Sequence, residues 1–111
     1  MLPKQYRATS KEMRLVLRRG KFFRYNGLKL VWAKLLETGT PHVGFIVSSK
    51  VEKTAVVRKR IKRCLRHAAL STIDVFTPSF GYVVVVEQKL HPTTSQFAEA
   101  LFKELFAALK K

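Results

Sequence analysis

Hydrophobic positions near the amino end of the chain recur with the period of a helix. Thr9 and Glu12 stand at the spacing of a capping box, and the apolar residues after them share one helical face until Gly20. A glycine directly after such a pattern commonly ends a helix. The sequence therefore predicts a first helix over about Ser10–Arg19.

The period then changes, and the next three apolar segments are typical of strands. FFRY and LKLVWAKLL flank Asn26-Gly27, a pair favoured in two-residue hairpin turns. VGFIV follows the turn residues Gly39–Pro41. We expect these three strands to form an antiparallel meander.

The second half of the chain predicts two helices separated by a buried strand. Thr54 is a candidate cap for a helix that contains AVVRKRIKRCLRHA and runs to about Leu70. YVVVVEQ is rich in valine, as buried strands are, and Pro92 ends it. Thr93 and Gln96 have capping-box spacing before a final helix. Its apolar half comprises Phe97, Leu101, Phe102, Leu105, Phe106 and Leu109.

The charge of the chain points to an anionic partner. The chain has 111 residues, of which 47% are hydrophobic, and this favours one ordered domain over residues 1–111. The 22 Lys and Arg residues against 7 acids give a net charge of +15, which is too large for internal ion pairs to neutralise. Nucleic acid is therefore the leading partner class, and an anionic membrane is the second.

Other features of the sequence indicate a cytoplasmic protein. Cys64 is the single cysteine, which rules out an internal disulfide, and we interpret it as a small core residue. The first residues lack the apolar segment of a signal peptide. The longest apolar run, Tyr82–Val86, is too short to span a membrane. We expect a cytoplasmic protein with no membrane partner.

The segment AVVRKRIKRCLRHA predicts a helix with two distinct faces. At about 100° per residue, its apolar face comprises Val57, Ile61, Cys64, Leu65 and Ala68. The opposite half carries Arg58, Lys59, Arg60, Lys62, Arg63, Arg66 and His67. No acid lies between Lys53 and His67, whereas an ordinary solvated face interleaves acids with bases. We infer that phosphates neutralise this surface, since its apolar face lacks the large side chains that membrane insertion uses.

The longer segment SSKVEKTAVVRKRIKRCLRHA resembles the signature of the bacterial ribonuclease P protein subunit. That signature is Arg-Asn-Arg-x-Lys-Arg-x-x-Arg, and the residues that match it in register are Arg58, Arg60, Lys62, Arg63 and Arg66. Lys59 departs from the pattern, because the family usually has Asn there, and Met13 stands where Phe is common. The order of the predicted elements along nearly the whole chain also matches the family.

The resemblance implies an α+β fold, a single compact domain in the order αβββαβα, with a small sheet packed against helices and a left-handed βαβ crossover. It also implies that the chain binds the ribonuclease P RNA and the 5′ leader of precursor tRNA, while the RNA subunit and its bound Mg²⁺ carry out cleavage. The RNA-binding residues expected from it are Lys50, Lys53, Arg58, Lys59, Arg60, Lys62, Arg63 and Arg66. The expected leader cleft is lined by Met13, Leu17, Trp32 and Ile46. For Trp32, base stacking and a place in the core are both open interpretations.

The sequence shows no catalytic constellation of its own. The acids are scattered, and there is no carboxylate cluster, Cys/His group or nucleophile beside a base unless folding gathers distant residues. We therefore expect a binding protein with no catalytic residues, bound metal or cofactor of its own. Two other classes stay open. One is a DNA-binding module, although such modules usually add Asn or Gln for base recognition, and the other is a ribosomal or RNA-assembly protein.

Overall fold

The computed structural model describes residues 3–35, 39–88 and 95–109 of the chain. These residues form three α-helices and four strands, with short 3-10 turns at Lys4–Tyr6 and Ile73–Val75. In chain order the elements are α1 (Ser10–Arg19), β1 (Lys21–Tyr25), β2 (Leu28–Lys34), β3 (His42–Val47), α2 (Ala55–Ser71), β4 (Phe80–Val86) and α3 (Ser95–Leu109). The predicted α+β fold and its element order are confirmed.

The four strands form one sheet in the order β1-β2-β4-β3. β1 and β2 are an antiparallel hairpin, as predicted, but β3 does not pair with β2. Instead β4 lies between them, antiparallel to β2 and parallel to β3. The predicted meander is therefore wrong. β4 is mostly buried along its whole length, and a strand that is apolar on both faces is most stable at the centre of a sheet.

The connection from β3 through α2 to β4 is the parallel βαβ unit that the family resemblance implies. The left-handedness of this crossover stays a prediction. None of the helices in the described ranges is long and apolar enough to cross a membrane.

The hairpin between β1 and β2 closes at Asn26-Gly27, as predicted. The φ angles are 44° at Asn26 and 84° at Gly27, in the left-handed region that a type I′ turn requires and that these residue types adopt most readily. The Gly27 carbonyl also accepts a hydrogen bond from the Glu87 N–H at 2.8 Å. This bond ties the turn to the end of β4.

Helices cover the two faces of the sheet unequally. On one face, α2 and α3 pack over a core that includes Leu30, Leu65 and Phe102. On the other face, α1 contacts β2 and β4, and Val16 is buried in one cluster with Val31. The predicted apolar half of α3 is confirmed, since its buried members are Leu101, Phe102, Leu105 and Phe106. One short helix covers less of a sheet than two, so part of the α1 face stays exposed.

Both ends of α1 agree with the prediction. Thr9 Oγ1 accepts the Glu12 N–H at 3.1 Å, and Glu12 Oε1 accepts the Thr9 N–H at 2.9 Å, which completes the capping box. At the other end, a Cβ on Gly20 would lie 2.5 Å from the Val16 oxygen and 2.6 Å from the Trp32 oxygen. Glycine is required there because α1 ends directly against the backbone of β2.

The predicted caps of the other helices have different outcomes. Thr54 is the N-cap of α2 by position, but its side chain makes no capping hydrogen bond, so the prediction of a side-chain cap is wrong. Arg58 orders the turn before α2 instead, through hydrogen bonds to the carbonyl oxygens of Glu52 and Lys53. The predicted capping pair of α3 includes Thr93, which lies outside the described residues, as does Pro92.

Candidate nucleic-acid interface

A cationic groove runs along the solvent side of α2. It has a volume of about 470 Å³, and its lining residues are Lys59, Lys62, Arg63, Arg66 and His67. These positions share one helical stripe, so the side chains converge on the same strip of solvent. No acidic residue occurs in the described lining. We call this feature the α2 groove.

The apolar side of α2 determines where the α2 groove points. Ile61, Leu65 and Ala68 are buried against the sheet and α3, while Val57 and Cys64 are partly buried. The predicted two-faced helix is confirmed. Docking of the apolar stripe turns the basic residues toward solvent, because the two stripes lie on opposite sides of the helix.

Arg58 differs from the other basic residues because it binds the backbone of its own chain. Its Nη1 donates hydrogen bonds to the carbonyl oxygens of Glu52 and Lys53, at 2.9 and 3.0 Å. The guanidinium thereby orders the turn that precedes α2. Lys50 and the side chain of Lys53 are exposed on this turn, and Arg60 is exposed on α2 outside the groove lining.

A smaller cleft lies at the edge strand β3, between α1 and α2. It has a volume of about 120 Å³, and its lining residues are Arg7, Ala8, Met13, Val43, Gly44, Phe45 and Arg66. The absence of a side chain at Gly44 leaves room for Met13, because a Cβ added at Gly44 would lie 2.6 Å from Met13 Sδ. Arg66 lines both this β3 cleft and the α2 groove. The two depressions therefore meet at one side chain.

The residues around the start of α1 fix the outer edge of the β3 cleft. Arg7 forms a parallel bridge to Val43. His42 Nδ1 lies 2.9 Å from Glu12 Oε2, which joins β3 to α1. Burial raises the pKa of Glu12, but hydrogen bonds from Thr9 and His42 outweigh this effect, so its pKa lies below the ordinary value. The carboxylate is thus stabilised in its ionised form at the junction of the two elements.

The residues predicted to line one leader cleft are divided between the two faces of the sheet. Met13 and Ile46 lie on the α1 face, and Leu17 is 42% exposed on α1. Trp32 packs instead against the core beneath α2 and α3. The prediction of a single cleft that contains all four residues is therefore wrong. Successive residues of a strand point to opposite faces, and in β2 it is Val31 that faces α1.

The α1 face also carries an exposed aromatic residue that is absent from the predicted set. Phe22 is 55% exposed, and Arg24 and Lys29 lie over its ring, 5.0 and 4.8 Å from the centroid. Arg24 Nε also lies 3.0 Å from Glu87 Oε1. The signal in the sequence is the alternation of FFRY, because Phe23 packs on the core and Phe22 must then face the other way.

Comparison with known proteins identifies the family. The family model described as Ribonuclease P matches residues 2–111. The chain belongs to the ribonuclease P protein family. The ribonuclease P protein component of Corynebacterium diphtheriae is 33% identical to it over 118 residues, an alignment that covers 100% of this chain and 96% of the relative.

Solved structures of ribonuclease P proteins share the fold. A Staphylococcus aureus RNase P protein mutant with defective mRNA degradation activity superposes with a TM-score of 0.80 at 18% identity, covering 96% of this chain and 90% of that one. The Thermotoga maritima RNase P protein gives 0.77 at 19% identity, with 92% and 96% covered. At such identities the likeness shows the fold alone.

The ribonuclease P signature is spread over different environments of α2. The matched residues that line the α2 groove are Lys62, Arg63 and Arg66. Arg58 is bound to backbone carbonyls, and Arg60 is exposed outside the groove lining. Lys59, at the position where the family usually has Asn, also lines the groove. This departure adds one cation to the cationic surface.

Three acids of this ribonuclease P protein make separate contacts with other elements. Glu87 and Glu104 each bind a different side chain of β1, and Glu12 binds His42. In the part of the chain that the structure describes, no group of three or more His, Cys, Asp or Glu side chains is placed to hold a metal ion. Glu12, Glu87 and Glu104 therefore join different elements of the fold.

Proposed function

We propose that this chain is the RNA-binding subunit of a cytoplasmic ribonuclease P and that it assists removal of the 5′ leader from precursor tRNA. The α2 groove binds phosphates of the RNA subunit, and the β3 cleft with the adjoining α1 face holds the leader. The observation that carries this proposal is the position of Arg66, which lines both depressions. One side chain thereby connects the two RNA-binding surfaces.

The charge of the α2 groove supports an RNA partner. Its cations lie along one stripe and repel one another, and bound phosphates relieve that repulsion. Arg63 and Arg66 supply planar guanidinium groups that bind two phosphate oxygens at once. Lys50 and Lys53 extend the cationic surface along the turn before α2.

The α1 face suits an unpaired leader because it is open and partly apolar. Met13, Leu17 and Ile46 offer apolar contacts to bases along this face. Phe22 adds an exposed ring on which a base can stack, a mode of binding that tolerates any sequence. Arg66 neutralises phosphate at the opening toward α2.

We assign the cleavage chemistry to the RNA subunit. Hydrolysis of a phosphodiester by a protein requires carboxylates that hold metal ions, or a nucleophile beside a base. The described residues of this chain include no group placed to hold a metal ion, and Glu12, Glu87 and Glu104 are bound in other contacts. Mg²⁺ held by the RNA would activate the attacking water, while the cations of this chain bind and position the two RNAs.

Affinities at one fixed salt concentration test this function against the alternatives. The ligands are ribonuclease P RNA, an unrelated structured RNA of equal length and a duplex DNA of equal charge. We expect ribonuclease P RNA to bind most tightly, by roughly tenfold or more, because only it can match both the α2 groove and the surfaces around it. Equal affinity for the two RNAs would favour an RNA-assembly protein. Tighter binding to DNA would favour a DNA-binding module.

A further inference from the structure

Trp32 lies between two depressions on the side of the sheet that α2 and α3 cover. The first has a volume of about 500 Å³ and is lined by Arg19, Lys21 and Lys34 among others. The second has a volume of about 350 Å³ and includes Val75, Phe106 and Leu109 in its lining. Trp32 and Phe80 line both, so the two depressions form one surface, which we call the Trp32 site.

Strand register places cations around the aromatic floor of the Trp32 site. Lys21 is paired with Trp32 across β1 and β2, and Lys34 with Phe80 across β2 and β4. Paired residues lie side by side on one face of a sheet. Arg19, at the end of α1, adds a third cation. Within the described ranges, none of the three forms an ion pair, and no acid lines the site.

Ring packing and a hydrogen bond hold the aromatic floor of the Trp32 site in place. Trp32 and Phe80 are partly exposed, and beneath them Tyr82 is buried with its ring centroid 6.3 Å from that of Phe80. Tyr82 Oη accepts a hydrogen bond from the Thr77 N–H at 2.9 Å, and Phe106 packs edge-on at 6.0 Å between centroids. A fixed apolar floor beside a cationic rim matches a nucleotide, whose base is flat and apolar on its faces and whose phosphate is anionic.

We propose that the Trp32 site binds an unpaired nucleotide of the ribonuclease P RNA. Its base stacks on Trp32, and its phosphates contact Arg19, Lys21 and Lys34. This inference rests on the proposed function and adds a second protein–RNA contact to it. The leader is assigned to the α1 face, so a nucleotide on the opposite face belongs to the RNA subunit. The three cations of the rim favour a polyanion over an apolar protein partner.

The fluorescence of Trp32 reports this site directly, because it is the only tryptophan in the chain. The full chain is titrated with a short oligouridylate at low salt, and we expect saturable quenching as a base stacks on the indole. The variant R19Q/K21Q/K34Q should require roughly tenfold more oligonucleotide for half-quenching, because phosphate contacts are lost. The variant K59Q/K62Q/R63Q removes the same charge from the α2 groove and should shift that midpoint by no more than about threefold.

Substitutions of Trp32 itself test stacking in the complete complex. W32A should weaken binding of the ribonuclease P RNA roughly tenfold, and W32F, which keeps a ring, should stay within about threefold of the wild type. Because W32A also removes packing from the core, R19Q/K21Q/K34Q must show a comparable loss with an unchanged melting temperature. In holoenzymes that carry these variants, the dependence of substrate binding on leader length should be unchanged.

Several results would overturn the proposal. If the oligonucleotide does not quench the fluorescence and the variants keep their RNA affinity, the site binds a protein partner instead. Equal quenching midpoints in the two charge variants would show that Arg19, Lys21 and Lys34 do not contribute to binding. A change in leader dependence would assign the site to precursor tRNA. Failure of the Trp32 site proposal is distinguishable from failure of the proposed function, because K59Q/K62Q/R63Q should still weaken binding of the RNA subunit. If neither charge variant weakens it, the proposed function fails as well.

Discussion

At the scale of single residues, the β3 cleft depends on the absence of one side chain. A Cβ on Gly44 would lie 2.6 Å from Met13 Sδ and 2.8 Å from Met13 Cγ. Movement of the flexible end of Met13 alone cannot relieve both contacts. The floor of the cleft is therefore set by the fit between β3 and α1.

We predict that Gly44→Ala lowers the free energy of unfolding by about 1–3 kcal/mol, the usual cost of overpacking. Met13→Ala makes room for the new methyl group, so the double variant should lose less than the sum of the single variants. Urea titrations of the four proteins measure this coupling. Gly81→Ala is the control, because its Cβ would meet Leu35 and Val16 instead. Additive losses for Gly44 and Met13 would contradict the contact.

The Glu12 carboxylate predicts a specific dependence of stability on pH. Burial raises its pKa, yet hydrogen bonds from Thr9 and His42 bring it below the ordinary value. A lowered pKa in the folded state means that ionised Glu12 stabilises the fold. That contribution is fully present above the ordinary glutamate pKa of about 4.3 and is lost as the pH falls through the folded-state pKa.

We therefore predict that wild type is more stable than Glu12→Gln near neutral pH and that the difference vanishes in acid. Gln is the matched control because it can still complete a capping box but carries no charge. Free energies of unfolding across this pH range provide the measurement. A difference that does not change with pH would show that charge at Glu12 contributes nothing.

Arg58 separates a structural role from an RNA-binding role within one basic segment. Its two hydrogen bonds to backbone carbonyls order the turn before α2. We predict that Arg58→Ala lowers the free energy of unfolding by about 1–2 kcal/mol, because it removes two hydrogen bonds whose typical net value is about 1 kcal/mol each. Arg63→Ala should not lower the free energy of unfolding, because Arg63 is exposed among like charges. Thermal unfolding compares the two, and equal melting temperatures would refute the structural role.

At the scale of the elements, α2 docks by one side and presents cations on the other. We predict that Arg63→Ala lowers the slope of log affinity against log salt by about 0.7–0.9, the value for one lost phosphate contact. Arg60→Ala is the control, because Arg60 lies outside the α2 groove lining and its loss should change the slope less. Equal changes for both variants would show that contacts are not confined to the groove.

The elements that the sequence predicted well are those with local causes. The bounds of α1 follow from the capping box at Thr9 and the glycine after Arg19, and the hairpin follows from Asn26-Gly27. The two faces of α2 follow from helical spacing. Thr54 shows the limit of this reasoning, because a residue type suited to a cap makes no capping bond where an arginine already orders the turn.

At the scale of the whole molecule, strand partners and sheet faces were the features that local patterns did not determine. β4 separates β3 from β2, and no residue near the end of β2 signals this insertion. The same register places Trp32 away from Met13 and Ile46, although all three are apolar residues of plausible cleft elements. The charge, in contrast, is a property of the composition, so the anionic partner was predictable before the fold.

Leader cleavage by a reconstituted holoenzyme tests the proposed division of roles between this chain and the RNA subunit. Cleavage of precursor tRNA by the RNA subunit is measured at limiting Mg²⁺, with and without this chain, over a series of leader lengths. The proposed function predicts that the chain stimulates cleavage, that the stimulation declines once the leader is too short to reach the β3 cleft, and that the RNA-free chain cleaves nothing. Equal stimulation for every leader length, or metal-dependent cleavage by the RNA-free chain, would contradict it.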